Sequence, residues 1–281
     1  EGPEASVAGV VEAVRERWDG PSAPQVRLLP LSLPASDLPP PEDGPKIALG
    51  LEERRLEPLW HDFSVLPHML VVGDNESGKT NLLRLVTRTI RERYSATEAR
   101  VVVVDPRRGL FNAIPEEQRL GYAVTGESAR EMMMAAAAAL KPRLPGPEVT
   151  PEQLRERSWW TGPELFVVID DYDLLSSSGG GGPLSPLMEM LPHGADIGFH
   201  LILARGAGGF SRAMGEPALR MLIDANTPSM VLSCPPSEGV LFGSLRPQRL
   251  PPGRALRFDR RDPVKVQLAL DPETEEADAR G

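Results

Sequence analysis

Residues 69 to 80 read Met69-Leu70-Val71-Val72-Gly73-Asp74-Asn75-Glu76-Ser77-Gly78-Lys79-Thr80. Four apolar residues run into G-x-x-x-x-G-K-[ST], the pattern of a loop that wraps phosphate oxygens between a strand and a helix. Such a loop must turn successive backbone N–H groups inward, and Gly73 and Gly78 take the required dihedrals at low steric cost. The apolar run predicts a buried strand. Lys79-Thr80 opens a helix whose N-terminal partial charge favours anions, with Asn81 following in its first turn. The phosphate site is therefore read as Gly73, Asp74, Asn75, Glu76, Ser77, Gly78, Lys79, Thr80 and Asn81. Lys79 is placed to reach the β- and γ-phosphates, and Thr80 to offer its hydroxyl to Mg²⁺, which also takes a carboxylate and water.

That carboxylate is expected at the end of another apolar strand. Leu165-Phe166-Val167-Val168-Ile169 runs into Asp170-Asp171-Tyr172-Asp173, and Arg100-Val101-Val102-Val103-Val104 into Asp105. Asp170 is the preferred metal ligand because its flank carries more acids, and Asp105 is its competitor. Asp171 stands where many NTPases with an additional central strand carry a glutamate that polarises the attacking water. Aspartate is one methylene shorter, and a displacement of about 1 Å can lower turnover roughly a hundredfold. The sequence thus predicts firm nucleotide binding, and slow hydrolysis if Lys79 and Asp171 work as a catalytic pair.

Outward from these motifs, apolar strands alternate with helical patterns. Leu82, Leu83, Val86 and Ile90 mark one face of a helix to about Tyr94. A short strand at 121–124, a Met- and Ala-rich helix at 127–141, strands at 199–204 and 229–233 and a helix at 214–224 follow. The tail, 254–258 and 264–270, alternates apolar and polar residues as a closing hairpin does. The fold class is α/β: a P-loop NTPase of mostly parallel sheet with helices on both faces and the ligand beyond the strands' carboxyl ends.

The first 45 residues differ. Val7, Val10, Val11 and Val14 predict a short amphipathic helix, and eight prolines from Pro21 to Pro45 forbid a continuous helix and favour an extended linker or wrapping segment. The expected division is 1–45 as N-terminal helix and Pro-rich linker and 46–281 as the P-loop domain. The cluster Glu52-Glu53-Arg54-Arg55 is read as a solvated turn, with lining of the nucleotide base as the sharper option. Met132-Met133-Met134 is read as core packing rather than a malleable binding surface.

The 281 residues carry a formal net charge of −9, which disfavours a nucleic-acid partner. A single cysteine, Cys234, excludes an intrachain disulfide and fits a reducing compartment. No apolar run is long enough for a membrane span, and a chain that opens on Glu1 is expected to be part of something longer.

Taken together, the phosphate loop, Val102-Val103-Val104-Asp105-Pro106-Arg107-Arg108, Val167-Val168-Ile169-Asp170-Asp171-Tyr172-Asp173, Phe210-Ser211-Arg212-Ala213 and Leu250-Pro251-Pro252-Gly253-Arg254 resemble the FtsK/SpoIIIE class of motor ATPases. More narrowly they resemble the EccC ATPases of the type VII (ESX) secretion system, over most of residues 46–270. The resemblance implies ATP and Mg²⁺ as cofactors, with Thr80 and Asp170 on the metal. It implies a cytoplasmic domain of a membrane-anchored protein carrying several such ATPase domains in tandem, the last of which recognises the C-terminal signal of small helical-hairpin substrates. Neighbouring ATPase domains and a hexameric motor are the implied partners, with Arg205, Arg212 or Arg220 as conceivable arginine donors. Asp171 in place of the catalytic glutamate, and Ala204-Arg205 in place of a Thr-Gln sensor, match the later, degenerate domains of such motors. The alternative, a DNA-translocating motor domain, shares the core but sits poorly with the acidic charge. A structural module that holds ATP permanently is the third reading.

Overall fold

The structure is a computed structural model, described for residues 7–21, 27–40, 45–175, 182–259, 263–272 and 274. The expected Ser/Gly stretch at 176–182 and the Arg260-Arg261-Asp262 turn lie outside the described residues, Gly182 excepted.

Among the described residues the strands are β1 (Lys46–Glu52), β2 (Pro58–Asp62), β3 (Met69–Gly73), β4 (Ala99–Val104), β5 (Arg119–Ala123), β6 (Glu164–Ile169), β7 (Phe199–Gly206), β8 (Ser229–Val231), β9 (Arg254–Phe258) and β10 (Val264–Leu268). These ten form one sheet, in the order β2-β1-β10-β9-β8-β3-β7-β6-β4-β5. The six strands from β8 to β5 are parallel, and β9, β10, β1 and β2 continue the sheet antiparallel beyond β8. β3, β6 and β7 are apolar along nearly their whole length because a parallel sheet is covered on both faces.

The two faces sort by residue parity. Val71, Val101, Val103, Phe166, Val168 and Ile202 pack against α2 (Lys79–Arg93) through Leu82, Leu83, Val86 and Ile90. Leu70, Val72, Val102, Val104, Val167 and Leu203 face the other way, toward Ala129, Met133 and Leu140 of α3 (Gly126–Leu140) and Leu219 and Leu222 of α7 (Pro217–Asp224). The expected parallel core, both long helices and the closing hairpin are all present. The helix expected at 214–224 forms as α7, which starts only at Pro217 because proline suits the first helical turn, and a separate short helix, α6 (Phe210–Ala213), precedes it. The methionine stripe divides too: Met133 is fully buried, whereas Met134 is exposed.

The N-terminal helix α1 (Val7–Arg17) forms as its periodicity predicts, yet all four valines are exposed. The Pro-rich segment behind it wraps onto the domain. Leu33 is buried against Leu85 and Ala269, and Leu270 N–H donates to Leu33 O at 2.7 Å. Glu52 accepts from the N–H groups of Arg54 and Arg55, closing the β1–β2 connection as a solvated turn. Two further short α-helices are α4 (Pro151–Glu156) and α5 (Gly194–Ile197).

Candidate functional site

The loop between β3 and α2 lies at the carboxyl end of the central parallel strands, with β7 and β8 on either side of β3. Its shape follows from its glycines. A Cβ on Gly73 would stand 2.5 Å from Ser77 Oγ and 2.9 Å from Leu232 Cβ, so a side chain there is excluded by its own loop. Gly78 has φ +107° and serves as the N-cap of α2. Within the curl, Asp74 O accepts from Ser77 Oγ at 2.8 Å and from Lys79 Nζ at 2.9 Å. Lys79 is thus buried and folded onto its own loop, with donors left for an anion in the curl. Glu76 and Asn75 lie on the exposed rim.

Two distant segments brace the loop. Asp74 N–H donates to Ser233 O at 2.8 Å, just past β8, and Gly253 N–H donates to Ser77 O at 2.9 Å. Leu-Pro-Pro-Gly-Arg is the turn that delivers Gly253. Arg254 N–H returns to Pro251 O, Pro252 occupies the second position, and Gly253 the third with φ +71°, the type II arrangement in which glycine is favoured. The Ser233 brace carries no local sequence signal, whereas Leu-Pro-Pro-Gly-Arg was quoted for its resemblance to the family; sequence reasoning assigned a site role to neither.

Thr80 Oγ1 donates to Asp170 Oδ2 at 2.6 Å. Of the two candidate carboxylates, Asp170 is therefore the one in contact with the phosphate loop. Asp105 instead shapes the turn after β4, where its Oδ2 accepts from Leu110 N–H and Tyr122 OH, both at 2.6 Å. Its Oδ1 is buried with no hydrogen-bond partner among the described residues. Burial pushes the Asp170 carboxyl up to about 6; the Thr80 hydrogen bond opposes this rise, and the nearby Asp171 and Asp105 charges reinforce it. A hydroxyl, a buried carboxylate in contact with it, and an orphaned carboxylate oxygen nearby are oxygen donors of the kind Mg²⁺ takes, so the residues present fit that ion. Thr80 and Asp170 would hold it, and once bound it would neutralise charge on the phosphates.

The remaining acids of Asp-Asp-Tyr-Asp each serve a separate contact. Asp171 adopts φ +46°, donates its N–H to Asp170 Oδ1, and pairs through Oδ2 with Arg107 Nε at 2.9 Å. Asp173 Oδ1 accepts from Gly206 N–H at 2.7 Å, tying this loop to the end of β7. Tyr172 is buried in the core on the α3 face. Arg205 is also buried: its guanidinium lies 5.4 Å from the ring centroid of Phe210, and its Nε donates to Gly206 O. Asn81 turns away from the curl, donating to Ala269 O and accepting from Asp271 N–H. Arg107 was quoted in sequence only as part of a family-like stretch, with no role of its own.

The FtsK/SpoIIIE family model matches residues 42–143. The chain is 44% identical, over 92% of its length, to the ESX secretion system protein EccC of Thermomonospora curvata, and 42% identical over 92% to the ESX-4 secretion system protein EccC4 of Mycobacterium tuberculosis. It spans about a fifth of the length of each. Among solved structures, the cytoplasmic domain of T. curvata EccC superposes with TM-score 0.84 over 94% of this chain and 31% of that one. The same relative's ATPases 2 and 3, in complex with a signal sequence peptide, superpose equally well, covering 47% of that chain. With 44% identity over 92% of its length to an EccC protein and a family-model match over 42–143, the chain belongs to the FtsK/SpoIIIE family and resembles one ATPase domain of an EccC protein.

Proposed function

We propose that this chain is an ATP- and Mg²⁺-binding module of a type VII protein secretion motor, standing beside further ATPase domains on the cytoplasmic side of a membrane-anchored parent. The observation that carries the reading is the Thr80–Asp170 contact at 2.6 Å beside the glycine-walled curl that holds Lys79. Backbone donors and Lys79 bind the triphosphate, and Thr80 and Asp170 fix the cation. Asp171 orients the attacking water from a short side chain already paired with Arg107, so turnover is slow. The net charge of −9 sets this reading above a DNA-tracking motor, which needs a basic face.

The second half of the proposal is recognition of an export signal on a small helical-hairpin substrate, with the module working in a six-membered assembly. It is supported by the 44% identity to a protein whose ATPases 2 and 3 have been solved with a signal sequence peptide. Capture of such a substrate by the immobilised domain, with its C-terminal signal intact or deleted, tests it. Retention of the intact form alone is expected; equal capture of both forms contradicts it.

A further inference from the structure

A cavity of about 490 Å³ opens beside the phosphate loop, within the ~300–1,000 Å³ range of small-molecule sites. Its lining joins Lys79 and Thr80 to Leu31, Ser32 and Leu33 of the N-terminal segment and to Pro252, Gln267 and Leu268 of the closing hairpin. The lining thus combines groups that suit phosphate and cation binding with apolar side chains from the strap and the hairpin. A nucleoside triphosphate combines the matching characters, charged along its phosphates and flat and weakly polar at its base.

The apolar part of the lining is held in place by contacts that do not depend on a ligand. Arg254 bridges its two walls, donating through Nη2 to Pro30 O at 2.7 Å and through Nε to Gln267 Oε1 at 2.8 Å. Leu270 N–H donates to Leu33 O, Ala35 N–H donates to Leu270 O, and Leu29 and Leu33 are buried. Asn81, in the first turn of α2, holds both Ala269 O and Asp271 N–H, so the hairpin wall is fixed to the helix that follows the phosphate loop. Gly253 N–H on Ser77 O fixes it a second time. Leu31 is the exception within this packing: it lines the cavity and is 80% exposed, although the leucines two residues away on either side are buried. Covering it with a flat ring removes apolar surface from water without moving the backbone.

We infer that the Pro30–Leu33 strap is part of the nucleotide site, clasping the base and ribose against Pro252 and Leu268, with Arg254 as the residue that positions the strap. The inference rests on the reading that a triphosphate fills the loop, and it places a determinant of nucleotide affinity in a segment that the sequence presents as a linker. Leu31 and Leu33 offer ring contact rather than hydrogen bonds through their side chains, so what the strap's leucines add to affinity is the same for ATP and GTP.

The test is calorimetric titration of the whole chain with Mg²⁺ and either ATP or inorganic tripolyphosphate, for wild type, Leu31→Ser and Arg254→Gln. Leu31 is exposed, so its substitution leaves folding intact even if loss of Arg254 does not. Both variants are expected to bind ATP about tenfold more weakly and to keep wild-type affinity for tripolyphosphate. Wild-type ATP affinity in both variants overturns the inference and leaves the phosphate site standing, and so does an equal loss for both probes. A wild-type chain that takes up neither probe removes the phosphate-site reading and the inference together.

Discussion

Arg107 Nε stands 2.9 Å from Asp171 Oδ2, so the carboxylate we propose to orient the attacking water is already engaged by a guanidinium from the loop after β4. Arg107 is 58% exposed on its side chain. A pair open to water on one side contributes at most about 1 kcal/mol, and breaking it frees the carboxylate at little cost. Arg107→Ala is expected to raise Mg-ATP turnover by up to about fivefold, since 1.4 kcal/mol is a factor of ten. Asp171→Asn is expected to bring turnover to background, because asparagine tolerates the same left-handed backbone while losing the charge. Phosphate release under single-turnover conditions measures both. Unchanged turnover in Arg107→Ala contradicts a restraining role for the pair.

Gly253 joins the closing hairpin to the phosphate loop through Ser77 O, at φ +71°, with a would-be Cβ only 2.9 Å from Gln267 Nε2. Gly253→Ala should therefore cost about 1–2 kcal/mol of stability, read as a lower urea midpoint with unchanged slope. It should also weaken ATP binding, because the brace and the loop share a hydrogen bond. Wild-type values for both quantities contradict this account of the Leu-Pro-Pro-Gly-Arg turn.

Acid sensitivity is expected from two buried histidines remote from the phosphate loop. Burial lowers His61 to about 3, with the Arg257 charge adding to the effect, and lowers His68 to about 4 against the pull of its Leu191 O partner. An unfolded histidine titrates near its ordinary 6.5, so between that value and the folded one the unfolded chain binds more protons. Stability is therefore complete above about pH 6.5 and falls as pH drops toward 4, by up to about 1.4 kcal/mol per pH unit for each histidine. His61 packs edge-on against Phe63 and its ring nitrogens find no ordinary hydrogen-bond partner among the described residues, so His61→Phe should flatten part of this slope. Denaturant midpoints from pH 7 to pH 4.5 check it. An unchanged slope in the variant contradicts the assignment.

The central strands and α2 were legible in the sequence because a doubly covered parallel strand needs an unbroken apolar run. β3, β4 and β6 each supply one beside a motif or an acid. β2 was not legible: Pro58-Leu59-Trp60-His61-Asp62 neither alternates cleanly nor runs apolar, and it exists because β1 offers it an edge. α4 did carry a signal that went unread, Thr150 with Pro151 and Gln153, which forms a full capping box. Asp170 over Asp105 was chosen from neighbouring acids, whereas geometry separates them by what each touches, Thr80 for one and Tyr122 for the other. The walls of the cavity beside the loop were out of reach altogether. They come from segments more than two hundred residues apart, and the Arg254 side chain that joins them reaches a backbone carbonyl, Pro30 O, which leaves no mark on residue identity.

The claim on which the rest depends is that the curl from Gly73 to Thr80 takes up a triphosphate together with a cation held by Thr80 and Asp170. Isothermal titration of the chain with ATP in Mg²⁺ tests it most directly, with Lys79→Ala run alongside. The account predicts a saturable one-to-one isotherm for wild type that weakens at least about a hundredfold in the variant, since removing a charged hydrogen-bond donor from a buried ion pair typically costs ~3–5 kcal/mol. A flat isotherm for wild type, or an unchanged one for Lys79→Ala, would contradict it.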